Sequence, residues 1–297
     1  MLRSRLPADG HAMRGARALG ILAATVAAVL ASALAAGAST VGPMGHGAAI
    51  SGPTGWTCSY TNPEYMIHSG GATLTTQPGT DNFAVTSTRP GQWSDPYITA
   101  GYDVDLNSQL CNSRVLPGSG GYGRSFALPV RLGQTGAIGA TVHDVTSRNF
   151  LGDTGFDIWF EPSPRISTYG AMTNQGAAST EIMIWLSHPG LAPRSANPRY
   201  YPVTIDRRRW KVTVDLASRG HGKNAARRNG WNRVNFIAPR VAEGDVTVKN
   251  LFLNPFFSYA VAHGWLRRGD YLMAIDQGAE LTRGTMRVAR YTLAGVR

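Results

Sequence analysis

Cysteine is almost missing from this sequence. Only Cys58 and Cys111 occur in 297 residues, and neither has the histidine spacing of a zinc site, so a structural metal centre is set aside. Charge is sparse too: Asp, Glu, Lys and Arg make up 16% of the chain, low for a cytosolic enzyme. The seven histidines form neither H-E-x-x-H nor any tight pair, so no metal or other cofactor is expected. No internal repeat is present, and after Ala38 no apolar run is long enough to cross a membrane. Long amphipathic periods are few, which argues against a helical fold. Arg207-Arg208-Arg209 and Arg227-Arg228 lack interleaved aromatics and read as solvated turns, so nucleic acid is not an expected partner. Gly118-Ser119-Gly120-Gly121-Tyr122-Gly123 matches G-x-G-x-x-G in letters. It follows Pro117 and leads into Ser125-Phe126-Ala127-Leu128-Pro129 rather than a helix, so the dinucleotide reading fails. Gly123-Arg124-Ser125-Phe126-Ala127 lacks the second glycine of a nucleophile elbow.

What is present begins with a leader. A basic stretch ends at Arg17, and Ala18 to Ala38 is an unbroken run of small apolar residues. Ala33-Leu34-Ala35 and Ala36-Gly37-Ala38 both suit signal cleavage. The run could just span a bilayer as a retained anchor, but its alanine-heavy composition and cleavage-like end favour removal. Residues 1–38 are therefore expected to be a signal peptide, 39–50 a short Gly-rich linker, and 51–297 one domain of a secreted or cell-wall-associated protein. The formal charge of +11 includes +3 from the leader, leaving about +8, enough to favour adsorption to acidic surfaces. In an oxidising compartment Cys58 and Cys111 are expected to pair, worth roughly 4 kcal/mol through chain entropy.

Gly-rich composition and short alternating segments favour a β sandwich or barrel. Strands are expected over Ala72–Thr76, Asn82–Thr88, Tyr97–Val104, Ile138–Val145, Gly155–Glu161, Val203–Ile205, Trp210–Leu216, Arg233–Ala238, Tyr271–Ile275 and Thr285–Leu293. Asn254 before Pro255 suits a helix start, and Phe256–Ala262 followed by His263-Gly264 reads as a single helix. The stretch Glu181-Ile182-Met183-Ile184-Trp185-Leu186 organises the rest. Alternation sends Ile182, Ile184 and Leu186 to a hydrocarbon face and Glu181, Met183 and Trp185 to the other. In Gly155–Glu161, Phe156, Ile158 and Phe160 oppose Asp157, Trp159 and Glu161 in the same way. Antiparallel pairing would bring Asp157 and Glu181 onto one face. The plain alternative is a second core layer ending in a solvated carboxylate.

These segments resemble glycoside hydrolase family 12. The resemblance rests on Phe156-Asp157-Ile158-Trp159-Phe160-Glu161-Pro162 paired with Glu181-Ile182-Met183-Ile184-Trp185-Leu186, and on Tyr271-Leu272 leading to Gly278-Ala279-Glu280. It implies an all-β, two-sheet jelly-roll sandwich with a concave cleft sheet and one short α-helix. It also implies retaining, endo-acting hydrolysis of β-1,4-glucans: cellulose-like chains, mixed-linkage glucan or xyloglucan. Glu181 then matches the nucleophile, Glu280 the acid/base, and Asp157 the carboxyl partner of the nucleophile. Trp159, Met183, Trp185 and Pro193 match substrate-side positions. A raised pKa is expected at Glu280, with Glu181 ionised and hydrogen-bonded to Asp157.

The departures are specific. Where the family has a sugar-stacking Trp, this chain reads Met66-Ile67-His68-Ser69-Gly70-Gly71-Ala72, and Pro193-Arg194-Ser195 replaces Pro-Ile-Gly. Asp276 stands where Gln is usual and Leu281 where Pro is common. A monomer acting on a β-glucan is the leading expectation. A non-catalytic jelly-roll polysaccharide-binding or cell-wall protein is the rival, and a xylanase-like substrate choice is a third.

Overall fold

The computed structural model describes residues 49–51, 56–58, 65–76, 82–87, 93–101, 128–164, 178–190, 201–218, 230–239 and 244–295. The leader, most of the linker, Pro193, Cys111 and the side chain of Cys58 lie outside the described residues, so the disulfide expectation falls there too.

Two sheets form a sandwich. The smaller runs β1 (Ala49–Ser51), β4 (Thr73–Thr76), β5 (Phe83–Ser87), β16 (Met286–Ala294), β8 (Gly139–Thr146) and β14 (Asp245–Phe252). The larger runs β11 (Tyr201–Ile205), β12 (Arg208–Ser218), β13 (Gly230–Ile237), β10 (Thr180–Ser187), β9 (Leu151–Glu161), β15 (Tyr271–Arg283), β6 (Tyr97–Gly101), β3 (Tyr65–His68) and β2 (Trp56–Cys58). The short β7 (Val130–Arg131) pairs with β15 beside this path. Among the described residues, the expected all-β sandwich with one short α-helix is thus the observed architecture. Among the described residues, no helix is long and apolar enough to cross a membrane.

Alternation builds the interior. In β8 every second residue is buried, and Ala140 and Val142 meet Phe156, Ile158 and Phe160 of β9 and Ile182, Ile184 and Leu186 of β10 in one cluster. Each such aliphatic or aromatic side chain contributes roughly 1.5–3 kcal/mol by leaving water. One helix, α1 (Asn254–Ala262), closes an end of this interior. Its Phe256 meets the rings of Trp210 and Phe236 edge-on at 5.0 Å, and Phe257 meets Phe160 at 5.2 Å. Asn254 does not cap the helix as expected, and Leu253 takes the cap position. Its Oδ1 instead accepts from the Ile138 backbone N–H at 2.6 Å and its Nδ2 donates to the Gly136 carbonyl at 2.9 Å. The side chain therefore ties the helix to the entry of β8.

One polar pair spans the two layers. Gln277 of β15 donates from Nε2 to both carboxyl oxygens of Asp144 of β8, at 3.0 and 2.9 Å. Burial pushes the Asp144 pKa up to about 8, partly offset by Gln277.

The expected hairpin is present: β9 and β10 pair antiparallel, Glu181 opposite Trp159 and Met183 opposite Asp157. Two differences matter for the site. β9 begins at Leu151, four residues before the expected Gly155, and β15 continues from Ile275 to Arg283. The last strand, β16, closes the smaller sheet between β5 and β8 rather than the cleft sheet.

Candidate active site

The long register between β9 and β15 carries the site. Asp276 sits opposite Asp157, Gly278 opposite Gly155, and Glu280 opposite Asp153. Strand parity therefore puts Asp153, Asp157, Asp276, Glu280 and Glu181 on one face. Gly155 and Gly278 face each other because nothing larger fits. A Cβ at Gly155 would lie 2.0 Å from the Ile184 carbonyl oxygen, and one at Gly278 2.1 Å from the Pro96 carbonyl oxygen. Backbones approach here more closely than any side chain allows, as at a sharp bend in a curved sheet.

That face holds a cavity of about 210 Å³, lined by both Glu181 and Glu280 together with Asp157, Trp159 and Met183. Five of the sequence-assigned site residues are thus brought together. Trp185 shares the strand face but packs with Met183 and Ile237 and is not among the cavity residues. Among the described residues, six carboxyl groups (Asp95, Asp153, Asp157, Glu181, Asp276, Glu280) and one guanidinium, Arg233, line the cavity.

Glu181 is only 4% exposed. Its Oε2 accepts a hydrogen bond from the indole Nε1–H of Trp231 on β13, whose ring lies 5.7 Å from that of Trp159. Burial raises the Glu181 pKa to about 7; Arg233 and the Trp231 hydrogen bond pull it down, and Asp215 pushes it up. Glu181, expected to be the readily ionised acid, thus carries a raised pKa, because depriving a carboxylate of water outweighs its favourable partners. Asp157 lies opposite Met183 and Asp276, a diagonal step from Glu181. Asp153, the neighbour of Glu280, is buried and its pKa is well above the usual range. Loss of water is the main cause, the charge of Glu280 adds to it, and a hydrogen bond from the Glu280 backbone N–H opposes it. Glu161 stays on the same face as Trp159, and burial raises its pKa to about 7.

Sequence reasoning missed Asp153, Trp231 and Arg233. Asp153 was available by parity, two and four residues before Gly155 and Asp157, once β9 was begun early enough. Arg233 sits beside Glu181 only through the parallel pairing of β10 with β13, which no local signal announces.

No family model matches the sequence, and no curated protein matches it. Solved structures do. A family 12 xyloglucanase from Bacillus licheniformis is 20% identical, with a TM-score of 0.61, over 83% of this chain and 99% of that one. An endoglucanase from Rhodothermus marinus is 18% identical, with a TM-score of 0.59, over 83% and 98%. A metagenome-derived family 12 endoglucanase is also 18% identical, with a TM-score of 0.61, over 83% and 96%. The fold of this chain is the one seen in the family 12 glycoside hydrolases.

Proposed function

We propose that the protein is a secreted, monomeric, endo-acting hydrolase of β-1,4-linked glucans that retains anomeric configuration. One observation carries the reading: Glu181 and Glu280 line the same cavity on the cleft face of a family 12 fold. Retention requires two carboxyl groups on either side of the scissile bond, roughly 5–5.5 Å apart. Glu181, with an indole N–H on one oxygen and a guanidinium nearby, is equipped to act as an anion. Its oxygen attacks the anomeric carbon, the glycosidic C–O bond breaks, and a proton from Glu280 leaves with the departing sugar oxygen. Water then attacks the glycosyl ester, Glu280 takes its proton, and Glu181 is released. Asp153 supports the proton donor, since two adjacent carboxyls disfavour being charged together and so hold a proton between them. Trp159 and Met183 shape the floor beside the reacting sugar. With six acids and one cation in the lining, an uncharged glycan is the better fit.

Reducing-sugar release from barley glucan, xyloglucan, xylan and carboxymethylcellulose tests the reading. Wild type should release sugar from at least one glucan, and Glu181→Gln should lose roughly a thousandfold or more in kcat. NMR of the first product should show the substrate's own anomeric configuration. Binding of glucan without any turnover would identify a polysaccharide-binding protein instead.

A further inference from the structure

Burial alone would leave Glu181 protonated and unreactive. The groups that face it are few and identifiable. Trp159 lies directly opposite on β9, with Asp157 one step along. Asp276 and Glu280 of β15 and Asp153 and Asp95 share its cavity, and all are acids. On the other side, the parallel register sets Arg233 of β13 directly beside it, with Asp215 of β12 beyond. Among the described residues, Arg233 is the single Lys or Arg that lines the cavity.

The orientation of that guanidinium matters as much as its charge. An arginine fork closed on Glu181 would occupy both oxygens with bidentate hydrogen bonds and blunt the nucleophile. Here the fork points the other way. Arg233 Nε donates to Asp215 Oδ1 at 3.2 Å and Nη2 to Asp215 Oδ2 at 2.6 Å. Both side chains are mostly shielded from solvent, at 28% and 20% exposure. Positive charge is thus delivered next to Glu181 while its hydrogen bonds are spent elsewhere.

We infer that Arg233, clamped by Asp215, is a positioning residue that keeps Glu181 in its charged, attacking form without covering its oxygens. This rests on the hydrolase reading above for its role in turnover, but not for its effect on Glu181. Burial opposes the charge on Arg233, yet the Asp215 hydrogen bonds and the charges of Glu181, Asp215 and Glu280 more than reverse that, so the cation stays charged at any working pH.

The test uses the whole secreted chain and two readouts. The first is a carbon-13 NMR titration of the Glu181 carboxyl, assigned by its loss in Glu181→Gln; the second is the acid limb of kcat/KM against pH. Arg233→Met should move the Glu181 titration up by about one pH unit or more. kcat/KM below the limb should fall about tenfold, with KM little changed. Arg233→Lys, which keeps the charge and loses the fork, should restore most of the titration. If Arg233→Met does not fold, Arg233→Met combined with Asp215→Asn removes the pair together and should still raise the titration. A Glu181 titration within about 0.2 pH unit of wild type in a folded charge-deleted variant overturns the inference. A wild type that cleaves no glucan defeats the hydrolase reading alone, because the titration still decides what Arg233 does.

Discussion

Two buried acids set the chemistry at residue scale, one facing the cleft and one facing the interior. On Glu181, the indole N–H of Trp231 is the one donor to the carboxylate among the described residues. A hydrogen bond to a charged acceptor is worth about 1.5–3 kcal/mol, so Trp231→Phe should lower kcat/KM about tenfold or more at pH 6 and less at pH 8. The pH profile of purified protein checks this. Asp144 behaves differently because no substrate sees it. Its folded pKa of about 8 lies above the roughly 3.9 of an exposed Asp, so folding favours the protonated form. That contribution is complete below about pH 4 and is lost as pH climbs through the window toward 8, at up to about 1.4 kcal/mol per pH unit. Wild type should therefore unfold more readily at pH 8 than at pH 5. Asp144→Asn, which mimics the neutral acid, should flatten that dependence in denaturant titrations at both pH values.

Strands β9 and β15 determine the site at element scale, and the glycines between them are its tightest point. Gly278→Ala places a methyl 2.1 Å from a backbone oxygen, so a strand must shift. Overpacking of this kind costs about 1–3 kcal/mol or more, and thermal unfolding should show it together with loss of turnover. Much at this scale was readable beforehand. The period-two alternation of β9 and β10 separated the core face from the cleft face and placed Glu181, Asp157, Trp159 and Met183 on the latter. The failures have local causes. β14 escaped notice because a register shift between Val248 and Leu251, with Asn250 at positive φ, interrupts its alternation. The head of β9, Leu151-Gly152-Asp153-Thr154, includes poor strand formers and is held in the sheet by its pairing with β15. Asp153 was lost with it. Trp231 and Arg233 come to Glu181 through a parallel pairing, Trp231 lying 50 residues beyond Glu181 in sequence, and local pattern is silent on such pairings.

The whole sequence is basic while the described lining of its groove is acidic: the formal charge is +11, yet among the described residues six carboxyls and one guanidinium line the cavity. Long-range attraction should bring anionic material to the surface, while the groove itself repels it. Under the proposed function, carboxymethylcellulose should be cut more slowly than uncharged barley glucan at low salt. Raising salt should narrow the gap by screening the groove. Initial rates on both substrates at two ionic strengths check this.

Gln277, which grips Asp144 from across the sandwich, stands in β15 between Asp276 and Gly278 and three residues before Glu280. Hydrocarbon layers have no preferred alignment and can slide; a directional bond between them stops the slide. Alkali that ionises the hidden Asp144 would strengthen that bond, yet it would leave a charge between two apolar layers. The cost of that buried charge falls on the sandwich that holds the strand. A limit on stability at high pH is thus set from behind the cleft face, by a group that lies outside the cavity.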